Sequence, residues 1–401
     1  MNINQDFRGY KEMKDRKIYL MNNISDYGLR EFRDGYSFTN DFTQAQGVLV
    51  RSQKMHDTEF PPCLRVIARA GVGLNNVPID RCSENGIVVM NTPGANANAV
   101  KELVLAGLML ASRDIAGGIE WVKANADDPN IAARTEKEKK AFAGNEVIGK
   151  KIGVIGLGAI GILVANMCAY LGMEVYGYDP YISVNSAWRL KREVKHAESM
   201  DELFEKCDYF TVHVPAVDSS RDLLNKISFA KMKDGVRILN FSREFVINDD
   251  DIAEALESGK VAKYVTDFPG PKTVKMKNTV VTPHLGASTA EAEDNCARLA
   301  VEELQDYLDN GNILHSANFP DVNAGVCKTE ARIAFLHRNI PNMLGQLTAI
   351  VGEGGYNIAN MQNASKGKYA YTIMDFETKI DEEHIAKFKN VEGMLRVRIV
   401  K

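Results

Sequence analysis

Four groups in the chain are of a type and spacing that could do chemistry. His284 stands in "VVTPHLGAST", between Pro283 and a Leu-Gly-Ala-Ser-Thr run, where an imidazole can give or take the proton of a hydroxyl. Arg243 stands in "NFSRE", just after an apolar run that reads as a strand. A cation there can bind the carboxylate and carbonyl of a 2-oxo acid and polarise the carbonyl for hydride attack. Asp267 is the only acid between residues 266 and 289, so it is the obvious candidate to orient the histidine. Finally, "KIGVIGLGAIGILVANMCAYLGMEVYGYD" carries G-x-G-x-x-G at Gly156, Gly158 and Gly161, between a predicted strand and a predicted helix. Such glycines permit a tight turn and let a pyrophosphate approach the helix N-terminus. Asp179 ends the next strand, where a carboxylate can accept from ribose hydroxyls and repel a 2′-phosphate. No Arg or Lys follows it until Arg189, which favours NAD over NADP.

These groups need a scaffold that ends strands at one crevice. "IGVIGLG", "MEVYGYD", "DYFTVHVP", "VRILNFS", "AKYVTDF" and "TVVTPH" each read as a strand ending near a polar or turn residue, with helical patterns between most of them. That alternation predicts parallel βα units in a doubly wound sheet. "KIYLMN", "GVLVRS", "LRVIARAG" and "GIVVMNTPG" form an earlier series of the same kind. "NAVKELVLAGLMLASRD" is a helix apolar on more than one face and is expected to be buried between domains. After His284, Ser288 and Glu291 read as a capping box for a helix that Gly311 ends. "NFPDVNAG" reads as a linker, and a small βαββαβ unit follows from about Ala331.

A chain of 401 residues has room for two or three domains, and 45% hydrophobic with 25% charged residues is ordinary for a globular protein. A net charge of −4 argues against a nucleic-acid partner. The longest apolar run, Leu103 to Ala111, is too short to span a bilayer, and the polar stretch Asn2 to Tyr10 does not read as an export signal. Six dispersed cysteines without a CxxC pair suggest reduced thiols and a cytoplasmic location. No metal-ligand spacing stands out.

Taken in order, "ARAGVGLNNVPID", "VMNTPGANANAVKELVL", "IGVIGLGAIG", "NFSRE" and "TPHLGAST" resemble the D-isomer-specific 2-hydroxyacid dehydrogenases, from about residue 15 onward. The likeness is strongest to the branch oxidising D-3-phosphoglycerate to 3-phosphohydroxypyruvate, the first step of serine biosynthesis. The resemblance implies two doubly wound parallel-sheet domains: a discontinuous substrate domain (1–95 and 288–317) and a Rossmann NAD domain (96–287). A linker (318–330) and a C-terminal βαββαβ ACT domain (331–401) would follow.

It also implies roles. Arg243 would orient the substrate and His284 would be the acid/base, with Asp267 as the third catalytic group. Gly156, Gly158, Ala159, Ile160 and Gly161 would meet the pyrophosphate, and Asp179 the ribose. Val214, Phe241, Asp267, His284 and Gly286 would complete the cofactor contacts. Gly73 and Val72 would hold the substrate carboxylate by backbone N–H groups, with Asn96 near the substrate. Arg51 and Arg69 match arginines that face a phosphate, a task suited to their fork of donors. Lys139 and Lys140 would add charge across a dimer interface. A homodimer or homotetramer is expected, with no membrane or nucleic-acid partner. Another D-2-hydroxy acid as substrate, or an NADH-sensing corepressor-like protein without turnover, are the alternatives.

The chain departs from the family at two places. Most members carry a Glu after the Asp, hydrogen-bonded to the catalytic histidine, whereas "FPGPKTVKMKNT" after Asp267 holds no acid. Three readings stand: Asp267 serves both nicotinamide and histidine, Glu244 folds in, or His284 works unsupported. In the C-terminal segment, which resembles serine-binding ACT domains, His337, Asn339 and Asn357 reproduce the spacing of the ligand residues, so L-serine is an expected effector. Relatives have Pro-Gly where this chain has Pro341-Asn342, so the loop there loses a glycine's freedom.

Overall fold

The computed structural model describes residues 15–401; the polar stretch Asn2 to Tyr10 lies outside them. The chain forms two compact units, one running to Ala95 and resuming at Glu293, the other spanning Asn96–Ala292.

The first unit opens with a five-stranded parallel sheet of β1 (Arg16–Leu20), β2 (Tyr36–Phe38), β3 (Gly47–Val50), β4 (Val66–Arg69) and β5 (Val88–Met90), in the order β2-β1-β3-β4-β5. Every residue of β3 and β5 is buried, as expected of parallel strands covered on both faces. The helix Ala290–Asn310 lays Ala297, Ala300, Val301 and Leu304 against Ile18, Leu49, Val66 and Val88. Its start lies one residue later than the sequence suggested: Thr289, rather than Ser288, accepts from the Ala292 N–H at 3.1 Å. Gly311 ends it as predicted, at φ +76° with its N–H bonded to the Tyr307 carbonyl.

The second unit is a seven-stranded parallel sheet: β6 (Lys151–Ile155), β7 (Glu174–Tyr178), β8 (Lys195–His196), β9 (Tyr209–Val212), β10 (Val236–Asn240), β11 (Val261–Thr266) and β12 (Thr279–Val281). The order β12-β11-β10-β9-β6-β7-β8 reverses direction between β6 and β9. Crevices at such switch points, outside the carboxyl ends of the strands, are where ligands bind. The helix Ala97–Ser112 packs Val100, Val104, Leu108 and Ala111 onto this sheet's core with Val154, Leu239 and Val265.

At the C-terminus, β13 (Ala331–Arg338), β14 (Ile358–Lys366), β15 (Tyr369–Phe376) and β16 (Met394–Ile399) form an antiparallel sheet, with helices Met343–Glu353 and Glu382–Lys389 completing the predicted βαββαβ order. Ile333, Phe335, Met374 and Phe376 face these helices. Ala334, Leu336, Tyr371 and Ile373 instead join the core of the first sheet, with Tyr307, Phe319 and Val322. Phe319 and Val322 belong to "NFPDVNAG", so two residues of that segment are buried in this core, while Asp321, Asn323 and Gly325 are exposed.

Arginines fasten this module. Arg332, fully buried, pairs with Asp375 at 2.6 Å and donates to the carbonyls of Asn310 and Gly325. Arg398 donates to those of Tyr307 and Leu308. The last carbonyls of a helix lack intrahelical partners and carry negative partial charge, so guanidinium groups suit them. Among the described residues, no helix is long and apolar enough to cross a membrane.

Candidate active site

In the second unit, the turn after β10 presents Arg243. Asn240, fully buried, clamps that turn: its Oδ1 accepts from Ser242 N–H at 3.1 Å and its Nδ2 donates to the Arg243 carbonyl at 2.9 Å. Ser242 Oγ donates to the Val214 carbonyl at 2.6 Å, tying the turn to the segment after β9. The guanidinium bonds its own loop at Ser242 O. Among the described residues no carboxylate pairs with it, so its charge is uncommitted.

Asp267 follows β11 and is 1% exposed. Its Oδ1 accepts from Thr282 Oγ1 at 2.6 Å and Leu285 N–H at 2.7 Å, and its Oδ2 from Gly286 N–H at 2.7 Å. Its backbone carbonyl takes the His284 N–H at 3.1 Å. Thus Asp267 folds the loop on both sides of His284, which sits at φ +56°, a conformation uncommon outside glycine. The imidazole is exposed and stands edge-on to Phe268, with centroids 5.1 Å apart. Among the described residues, nothing hydrogen-bonds that ring. Glu244 is exposed, and among the described residues its carboxylate forms no hydrogen bond or ion pair with that ring. Of the three readings, this geometry matches a histidine whose loop, not whose ring, is held by a carboxylate.

The glycine loop joins β6 to the helix Ala159–Tyr170. Gly156 has φ +89°, and a Cβ there would lie 2.5 Å from the His213 carbonyl. A Cβ on Gly161 would lie 1.9 Å from Gly156 O, so that glycine lets the helix close on its own loop. A Cβ on Gly158 would meet nothing within 4 Å. The protein itself needs the first and third glycines, while the space over the second is open. The helix N-terminus has no side-chain cap, which leaves the N–H groups of Ala159 and Ile160 for an anion. At the end of β7, Asp179 accepts from Leu157 N–H at 2.8 Å and Tyr181 N–H at 2.9 Å, and each oxygen keeps acceptor capacity for a ribose hydroxyl. This donor and acceptor set fits a dinucleotide. The Phe241 ring is in the core against Gly107.

His213, which sequence reasoning passed over although it adjoins Val214, lies against this loop. Its Nε2 is 2.9 Å from Thr211 Oγ1 and its Nδ1 is buried without a partner among the described residues. Burial pushes it down to about 3, so the ring is neutral. Asn96 starts the helix Ala97–Ser112, and its Oδ1 is likewise buried and unpartnered among the described residues.

In the first unit, Gly71 follows β4 at φ +148°. Its N–H donates to Thr92 Oγ1 at 2.9 Å, while Asn91 Nδ2 donates to the Val72 carbonyl at 2.6 Å. The carbonyl side of the turn is thereby fixed, and among the described residues the N–H groups of Val72 and Gly73 have no acceptor. That is an anion nest in form. Arg69 lies over Gly71, where an added Cβ would meet its Nη1 at 2.5 Å. Arg51 and Arg69 both act on the buried thiol of Cys296, offsetting in part the upward push of burial, so they share one neighbourhood. Arg51, however, is paired to Glu293 at 2.5 Å. Lys139 pairs with Glu136.

The three candidate effector residues do not meet within one chain. His337 is 2% exposed, with Nδ1 2.9 Å from Arg338 O and Nε2 2.9 Å from Thr372 Oγ1. Asn339 is exposed and donates to Gly367 O, at the opposite end of the sheet from Asn357, which donates to Glu377.

Comparison with known proteins decides the family. The chain is 32% identical over 353 residues to the D-3-phosphoglycerate dehydrogenase of Haemophilus influenzae, covering 85% of this chain and 82% of that protein. The chain belongs to the D-isomer specific 2-hydroxyacid dehydrogenases. Residues 105–286 match that family's NAD binding domain, a span that holds the glycine loop, Asp179, Arg243, Asp267 and His284. The D-3-phosphoglycerate dehydrogenase of Mycobacterium leprae is 35% identical over 373 residues, covering 87% of this chain and 67% of that protein. The fold is shared with NAD+-bound 3-phosphoglycerate dehydrogenase of Entamoeba histolytica (24% identity, TM-score 0.59, covering 76% of this chain and 99% of that one). It is shared equally with D-mandelate dehydrogenase of Rhodotorula graminis (24% identity, TM-score 0.63, covering 76% and 98%). As a member of the dehydrogenase family, the chain is an NAD-dependent oxidoreductase.

Proposed function

We propose that this dehydrogenase oxidises D-3-phosphoglycerate to 3-phosphohydroxypyruvate. The observation that carries the chemistry is that one sheet ends in an uncommitted guanidinium, Arg243, and in an exposed imidazole, His284, each on a turn fixed by a buried side chain, Asn240 or Asp267. NAD+, when bound, supplies the hydride acceptor. Arg243 donates to the oxygen that becomes the carbonyl, and His284 takes the hydroxyl proton. The N–H groups of Val72 and Gly73 hold the substrate carboxylate, and Asn96 contributes an amide beside the substrate. Arg69 and Arg51 receive the phosphate, with Arg51 first leaving Glu293.

That ion pair is the one observation favouring an unphosphorylated D-2-hydroxy acid instead. Turnover of 3-phosphoglycerate against D-glycerate, in wild type and Arg51→Gln, tests the choice. Loss of activity with 3-phosphoglycerate alone in the variant supports a phosphate site; equal loss with both acids removes it.

The βαββαβ module supports L-serine as effector in a homodimer or homotetramer, with contacts drawn from the exposed Asn339 and Asn357 rather than from the occupied ring of His337. Serine titration of activity, with Asn357→Ala as control, tests this, and a flat titration in wild type excludes it. Six free cysteines suit the reducing cytoplasm.

A further inference from the structure

In the first unit, beside the C-terminal sheet, is a cavity of about 200 Å³ lined by Arg16, Arg65 and Arg398, with Gln46 and Asp15. Arg16 and Arg398 are 9% and 4% exposed. The carboxylates nearby are already matched, since Asp15 pairs with Lys17 at 2.7 Å and Asp309 pairs with Arg16. Arg398 spends its N–H groups on the neutral carbonyls of Tyr307 and Leu308 and lies over the Tyr307 ring. Arg396, close by, likewise bonds carbonyls, those of Leu64 and Asn85 among them.

Arg65 is the decisive residue. Among the described residues its guanidinium donates no hydrogen bond and meets no carboxylate. Burial first, and then the like charges of Arg398, Arg396 and Arg16, pull it below the usual arginine range. A largely buried guanidinium with no counter-charge of its own is costly, and the unspent fork of donors on Arg65, beside an Arg398 that meets only neutral carbonyls, suits a tetrahedral oxyanion.

We propose that this cavity binds phosphate, free or as the phosphoryl group of a small metabolite, and so clamps β16 to the N-terminal sheet. Arg16 also lines a neighbouring cavity of about 730 Å³, which gives the remainder of a phosphate monoester somewhere to lie. The site is independent of Arg51 and Arg69 and of any assignment of the substrate.

Thermal unfolding of the full chain, with inorganic phosphate replacing chloride at constant ionic strength, tests the site. The wild-type midpoint should rise by about 3 °C or more at millimolar phosphate. Arg51→Gln should keep that rise, Arg65→Lys should keep part, and Arg65→Gln should lose it. In chloride, Arg65→Gln should be no less stable than wild type, because removing it relieves repulsion; a merely structural arginine would lower the midpoint in both salts. A rise that survives Arg65→Gln, no rise in wild type, or equal destabilisation in both salts overturns the proposal. Glycerol phosphate run in parallel identifies the source: a larger rise than with phosphate points to a monoester, a smaller one to the free ion.

Discussion

Asp267 holds the backbone around His284 and leaves its imidazole alone. The carboxylate takes the N–H groups of Leu285 and Gly286, each at 2.7 Å, and the Thr282 hydroxyl at 2.6 Å, while the ring stands against Phe268 and, among the described residues, takes no hydrogen bond. A residue that sequence order suggested as a partner for the ring acts instead on the loop that aims it.

Asp267→Asn therefore exchanges one acceptor oxygen for an NH₂ that faces a backbone donor. It should destabilise the second unit by about 1–3 kcal/mol and lower kcat on the order of 10²-fold through misplacement of His284. Denaturant unfolding and steady-state kinetics check both. An unchanged unfolding midpoint with lost activity would instead indicate direct contact with the reacting groups.

The glycine loop separates what the fold needs from what the cofactor needs. Gly158→Ala, at φ −76° with open space around it, should leave the ligand-free stability within about 0.5 kcal/mol and weaken NAD binding at least about tenfold. Gly161→Ala would place a Cβ 1.9 Å from Gly156 O and should cost about 1–3 kcal/mol without any ligand. Unfolding midpoints and fluorescence titration with NADH distinguish the two.

Two buried groups give opposite pH dependences. His213 stays neutral, pushed by burial from 6.5 to about 3. The unfolded chain alone takes that proton, so its contribution is complete above ~6.5 and is lost as pH falls towards 3, by up to ~1.4 kcal/mol per pH unit. Glu303, 2.5 Å from His315, is raised from 4.5 to about 7, with burial the larger influence. Here the folded chain holds the extra proton, so stability falls as pH rises from 4.5 to 7. Urea titrations across that range should show a shallower slope for His213→Gln in the second unit and the reverse change for Glu303→Gln in the first.

Much of the fold was legible because parallel strands buried on both faces are short apolar runs: "GVLV", "VIAR" and "YFTV" are β3, β4 and β9. The two strands not foreseen, β2 ("YSF") and β8 ("KH"), are brief edge strands without such a run. Thr289 and Ser288 offer the same hydroxyl chemistry, so composition could not choose between them as the cap. At the site, positions were readable from strand ends, but contacts were not. Whether Asp267 faces a ring or a backbone, whether Phe241 turns inward, and whether Arg51 meets Glu293 depend on geometry that residue order does not contain. Asn240 left a usable signal that was not taken up: a polar residue ending an apolar strand, whose burial demands partners.

The most direct test is NADH formation from NAD+ with 3-phosphoglycerate, D-glycerate and D-lactate, in wild type, Arg243→Gln and His284→Asn. Wild type should turn over 3-phosphoglycerate with kcat/KM about 10²-fold or more above D-glycerate. His284→Asn should lower kcat by about 10²–10⁴-fold, and Arg243→Gln by on the order of 10²-fold, with NADH binding retained in both. Equal or greater kcat/KM for an unphosphorylated acid, or turnover that survives both substitutions, would contradict the assignment.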